Sequence, residues 1–125
     1  MITLTPQDVI LLHTLLTEQA GTLDGLRDKG LLESAVFSQN AAFGGYECYP
    51  TLPEKAARLF FALVSNHAFA DGNKRVGLLA YLTTLKVNGV PFTATDSELI
   101  ALTLSLADGK TAYDELLSFT LSHIA

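Results

Sequence analysis

Apolar residues recur at helical spacing in six stretches of the chain. In the first, Val9, Leu12, Leu16 and Gln19 share one face, which predicts a helix to about Gln19. Thr5 suits its cap, Pro6 its first position, and Asp8 the positive end of its dipole. Gly21 ends it, and the turn-rich residues 21–30 read as a loop. A second helix from about Lys29 to Asn40 turns Leu32, Ala35 and Val36 inward. The segment Phe43–Pro50, with its paired glycines, reads as a loop or short hairpin.

Thr51-Leu52-Pro53-Glu54 fits a capping box, in which Thr51 caps and Glu54 reaches back. The helix it opens, from Pro53 to about Asn66, carries Ala56, Ala57, Leu59, Phe60, Phe61, Leu63 and Val64 around most of its circumference. A helix apolar nearly all round belongs at the centre of a fold. A second of this kind runs from about Lys74 to Asn88 and is stopped by Gly89 and Pro91. Asp96-Ser97-Glu98 starts a further helix that Asp108-Gly109 ends, and the last covers about Ala112 to Ile124. The stretch Leu99–Ala107 is assigned to the core in preference to a binding groove. The expected architecture is all-α: a compact bundle of about six helices, one domain over residues 1–125, with a short polar loop between two buried central helices.

Composition narrows the function classes. With 49% hydrophobic and 17% charged residues and a mean hydropathy of +0.31, the chain has enough apolar surface to fold, which excludes intrinsic disorder. Eight basic against 13 acidic residues give a net charge of −5, which argues against nonspecific nucleic-acid binding. The charge is uneven, because residues 55–86 carry Lys55, Arg58, Lys74, Arg75 and Lys86 against Asp71 alone. The single Cys48 offers neither an internal disulfide nor a zinc pair, in keeping with a reducing compartment. No charge-free run reaches the ~18–20 residues of a membrane span, and the N-terminus lacks the build of a signal peptide. A cytoplasmic protein with no membrane or nucleic-acid partner is expected.

The chemistry gathers in His67-Ala68-Phe69-Ala70-Asp71-Gly72-Asn73-Lys74-Arg75, between the two central helices. Free N–H groups at a helix N-terminus make an anion site, and Gly72 lets the backbone approach a ligand. Lys74 and Arg75 add positive charge, and Arg grips two phosphate oxygens at once. Asp71 is a hard oxygen ligand of the kind Mg²⁺ takes, and His67 suits proton transfer near neutral pH. Singly, each has a plainer reading: His67 and Asn73 as helix caps, Asp71-Gly72 as a turn, the cations as a solvated pair, Phe69 as core. Their ordered combination is what points to polyphosphate chemistry.

This stretch resembles the signature of the Fic/Doc family, H-x-F-x-[DE]-[AG]-N-[GK]-R, at every specified position. The resemblance extends through Gly30–Ala35, Tyr49-Pro50-Thr51 and Asn88-Gly89 to the death-on-curing branch, the toxins of toxin–antitoxin modules. It implies His67 as the general base that deprotonates a Ser or Thr hydroxyl, Asp71 as the Mg²⁺-holding acid, and Gly72, Asn73, Lys74 and Arg75 as the nest for ATP phosphates. Lys74 stands where AMP-transferring members have Gly, which favours the reversed nucleotide and kinase activity on elongation factor Tu. AMP transfer and an inactive antitoxin-docking module are the other readings, the last weakened by the intact His67, Asp71 and Arg75.

The inhibitory pattern [ST]-x-x-x-E-[GN] of many Fic enzymes is missing, since no Glu is followed by Gly or Asn. Control in trans by a Phd-like antitoxin is therefore implied, and Gly44–Pro50 corresponds by position to the family's target-binding flap, with a plain glycine-rich connector as the equal alternative. Rival motifs fail: Gly25 and Gly30 have P-loop spacing but Leu31 replaces the Lys, and His13, His67 and His123 are too scattered for a metal trio.

Overall fold

A computed structural model describes residues 1–20 and 25–124, so the expected helix stop at Gly21 lies outside the described residues. All six expected helices form: α1 (Pro6–Ala20), α2 (Lys29–Phe37), α3 (Leu52–Asn66), α4 (Asn73–Val87), α5 (Asp96–Ala107) and α6 (Tyr113–His123). The only sheet among the described residues is a two-stranded antiparallel hairpin, β1 (Ala42–Phe43) with β2 (Tyr46–Glu47). The fold is all-α, and its helix starts are written locally.

An acid at the third helical position reaches back to the cap in several helices, satisfying N–H groups that have no partner within the helix. In α1, Thr5 N donates to Asp8 Oδ2 at 2.8 Å and Asp8 N to Thr5 Oγ1 at 3.2 Å. Thr51 with Glu54 and Thr95 with Glu98 repeat the arrangement at α3 and α5. The helix expected to reach Asn40 instead tightens into a 3₁₀ turn over Ser38–Asn40. Its cause is tertiary: buried Gln39 donates through Nε2 to the Leu4 carbonyl, and its own carbonyl accepts from Lys55 Nζ at 3.0 Å.

The core forms two clusters on either side of the α3–α4 pair. Leu59 and Leu63 of α3 and Val76 and Ala80 of α4 pack with Val9 of α1 and with Leu32, Ala35 and Val36 of α2. Phe60, Val64, Tyr81 and Leu85 of the same two helices pack with Leu99, Leu106 and Leu116 of α5 and α6. α3 and α4 thus serve both clusters, as helices apolar around most of their circumference must. Gly77 brings them close, because a Cβ there would lie 2.9 Å from Val64 Cγ2. Rigid packing of this pair fixes the ends between which the 67–72 loop is strung.

The expectation for Leu99–Ala107 holds for one face of α5. Leu99, Thr103 and Leu106 are buried, whereas Ile100 is 58% and Leu104 50% exposed. These two help line a shallow apolar groove of about 330 Å³ with Lys74, Arg75 and Leu78 of α4. Among the described residues no helix is long and apolar enough to cross a membrane.

Candidate active site

α3 ends at Asn66, and His67 follows in the left-handed conformation, with φ 53° and ψ 46°. It is the only non-glycine residue with positive φ among the described residues. A side chain there costs about 1 kcal/mol, so surrounding contacts must hold it. Arg27 supplies one, donating from Nη2 to the His67 carbonyl at 2.5 Å. The His67 side chain itself is exposed.

The rest of the loop is pinned from three directions. Arg27 and Asp28 donate their backbone N–H groups to the Ala68 carbonyl at 2.9 and 3.0 Å, and Ala70 N donates to Gly25 O at 3.1 Å. Phe69 is 2% exposed in the core, as expected. Asn73 Oδ1 accepts from Phe69 N at 3.0 Å while its Nδ2 donates to Phe69 O at 2.8 Å. From α1, His13 Nε2 meets the Asp71 carbonyl at 2.7 Å.

Asn73 is therefore not the cap of α4, contrary to expectation. Gly72 holds that position at φ 81°, with no side-chain hydrogen bond to the helix. The reason is that both polar atoms of the Asn73 amide are spent on Phe69, so no side chain caps the first N–H groups of the helix. The first bond into the helix runs from Val76 N to Gly72 O at 2.9 Å. The amides of Asn73, Lys74 and Arg75 precede it as the uncapped positive end of the dipole.

His67, Asp71, Gly72, Asn73, Lys74 and Arg75 all line one cleft of about 540 Å³, closed on other sides by Val64, Ala107 and Asp108. Lys74 and Arg75 are exposed and form no ion pair among the described residues. The Asp71 carboxylate accepts from Gly72 N at 2.8 Å through Oδ1. An exposed imidazole, a carboxylate without a cationic partner among the described residues and an open helix N-terminus thus line one cleft.

The Fic/DOC family profile matches residues 3–85, which include this whole constellation. The chain belongs to the Fic/DOC family. It is 46% identical to Toxin Doc of Mycolicibacterium smegmatis over 69 residues, 55% of this chain and about half (53%) of that protein. It is 35% identical to Protein kinase doc of Escherichia phage P1 over 108 residues, 86% of this chain and 83% of the phage protein.

The Fic/DOC signature residues fit a magnesium-bound nucleotide on their own chemistry. Mg²⁺ keeps most of its water and takes one or two carboxylates together with phosphate oxygens. Asp71 alone offers that, and the described residues contain no cluster of three acids, histidines or cysteines that would cage a metal. Three residues around the Fic/DOC site carry no local sequence signal of that role. Arg27 sits in a turn-rich segment, Asp108 looks only like a helix end, and His13 lies 58 positions from the residue it holds.

Proposed function

We propose that this chain is the toxin of a type II toxin–antitoxin module, a protein kinase that transfers the γ-phosphoryl group of Mg-ATP to a Ser or Thr hydroxyl of elongation factor Tu. Halting translation in the cytoplasm is then its effect. The observation that carries the reading is the shared cleft, in which the exposed His67 faces the same space as Asp71 and the uncapped start of α4. The names of the two relatives, a toxin and a protein kinase, support the same class of activity.

In this reading His67 takes the proton of the incoming hydroxyl, whose oxygen forms the new bond to phosphorus as ADP leaves. The α4 amides, Lys74 and Arg75 bind phosphate oxygens and stabilise the charge that spreads over them. Asp71 would hold magnesium, which when bound offsets phosphate charge. Lys74 favours γ- over α-phosphoryl transfer, because its side chain fills the space a Gly would leave for a close approach of backbone and phosphates.

Two surface features fit target and antitoxin. The hairpin turns through Gly44 and Gly45 at φ 56° and 84°, as a tight two-residue turn requires, and shows Phe43 and Tyr46 to solvent. It is strapped to α3 by the Glu47–Lys55 pair at 3.2 Å, which suits a flap that receives an extended target segment. The α4–α5 groove, apolar with Lys74 and Arg75 at its side, suits a Phd-like antitoxin tail that carries an acid. The test is transfer of labelled phosphate from ATP to purified elongation factor Tu. His67→Ala is expected to lower the rate by roughly 10²–10⁴, and activity that persists in that variant contradicts the role given to His67.

A further inference from the structure

We propose that His13 is a positioning residue: it fastens the Asp71–Gly72 peptide and thereby aims the Asp71 carboxylate and the start of α4. This rests on the reading of Asp71 and the α4 amides as the phosphate and magnesium site. His13 is 3% exposed on the inner face of α1, among apolar neighbours such as Val9. Its ring stacks on Phe69 with centroids 3.8 Å apart and planes at 10°. Its Nε2 lies 2.7 Å from the Asp71 carbonyl oxygen. A carbonyl can only accept, so Nε2 carries the hydrogen. One imidazole thus grips the loop at two points, Phe69 and Asp71.

Peptide geometry turns that grip into an orientation. The C=O of Asp71 and the N–H of Gly72 belong to one planar trans unit and point in opposite directions. With the C=O held by His13, the Gly72 N–H is directed to the other side, where it donates to Asp71 Oδ1 at 2.8 Å. The carboxylate is therefore placed through a relay of two hydrogen bonds that begins on α1. Gly72 completes the fit, since a Cβ there would stand 3.2 Å from His13 Nε2. The buried Nε2–H needs an acceptor, and the one it takes is the carbonyl of the residue that bears the carboxylate, so satisfying this ring and placing the loop are one contact.

Three variants of the chain separate the donor from the stack. His13→Phe keeps the stack and loses the donor. His13→Gln sets a donor near the Nε2 position, while His13→Asn is polar but too short to reach. Amide hydrogen exchange, read residue by residue, is the primary measurement. The expected result is exchange faster by roughly fivefold to tenfold, the worth of one hydrogen bond, at the hydrogen-bonded amides of Ala70, Gly72 and Val76 in His13→Phe and His13→Asn. His13→Gln is expected to stay near wild type, and amides in α3 and α6 to be unchanged in all three.

Should His13→Phe not fold, the Gln and Asn pair carries the comparison. Equal exchange at Ala70, Gly72 and Val76 in Gln and Asn variants, or acceleration spread evenly over the chain, overturns the proposal. Titration with Mg-ATP provides the link to the site: affinity is expected to fall with loop protection in the Phe and Asn variants and to recover in Gln. Unchanged affinity in a variant with a loosened loop overturns that link. A wild-type chain that binds no Mg-ATP counts against the kinase reading, while the exchange result still decides the positioning role.

Discussion

The Arg27 guanidinium reaches across forty residues of chain to the His67 carbonyl, at 2.5 Å, and holds the one left-handed side-chain-bearing residue among the described residues. Arg27 is exposed, so its charge-assisted bond contributes at the low end, about 1 kcal/mol. Arg27→Ala is expected to lower the transfer rate by roughly tenfold while Tm falls by only a few degrees. Parallel rate and melting measurements check this, and a variant with a lowered Tm but a wild-type rate contradicts it.

His67 occupies a backbone conformation that glycine takes without cost. His67→Gly is therefore expected to be more stable than His67→Ala by about 1 kcal/mol, although both are expected to lose the function proposed for the imidazole. Denaturant unfolding of the two variants measures the difference directly. Equal stabilities would mean that the conformation carries no strain.

Local signals make most of this fold legible in the sequence. Thr51 and Glu54 announce α3 because a capping box is written within four consecutive residues, and Leu32, Ala35 and Val36 are buried as their spacing requires. The signature from His67 to Arg75 is likewise contiguous. What stays hidden depends on contacts between distant segments or on a loop's own fold. Asn73 precedes a helical run and so resembles a cap, but its amide is captured by Phe69. His13 interrupts an apolar face with a polar ring whose partner, Asp71, is 58 residues away, and no periodicity encodes that. Ile100 and Leu104 are as apolar as Leu99 and Leu106, and only the packing of α5 against α4 decides which pair faces out.

Gly77 sets the closeness of α3 and α4. Alanine is the better helix former by about 1 kcal/mol, but its Cβ would stand 2.9 Å from Val64 Cγ2 between two packed helices. Overpacking is expected to win, so Gly77→Ala lowers stability by roughly 1–2 kcal/mol net. Thermal or urea unfolding tests the sign, and a stabilised variant contradicts the tight approach.

A surface pair gives the protein a defined pH response. Glu98 accepts from Thr95 N and meets His123 Nε2, both at 2.9 Å. The Thr95 N–H first, and then His123, hold the Glu98 carboxyl below its ordinary 4.5. The Phe119 carbonyl first, and then Glu98, raise His123 above 6.5. The depressed carboxyl contributes fully above 4.5 and loses its contribution as pH falls through its folded value. The raised imidazole contributes fully below 6.5 and loses its contribution as pH rises through its folded value. Both act between 4.5 and 6.5. Glu98→Gln keeps the capping reach without the charge, so its Tm deficit is expected to be larger near about pH 5.5 than near about pH 8.5. A deficit that grows toward alkaline pH contradicts the pairing.

Lys74, at the open start of α4, is proposed to set the nucleotide so that His67 serves γ-phosphoryl transfer. The most direct measurement incubates the chain with purified elongation factor Tu and ATP labelled at either the α- or the γ-phosphate. Label from the γ position alone, lost in His67→Ala, is the predicted result. Label from the α position would make the enzyme an AMP transferase, and label from neither would leave a module that only docks its antitoxin; either outcome contradicts the claim.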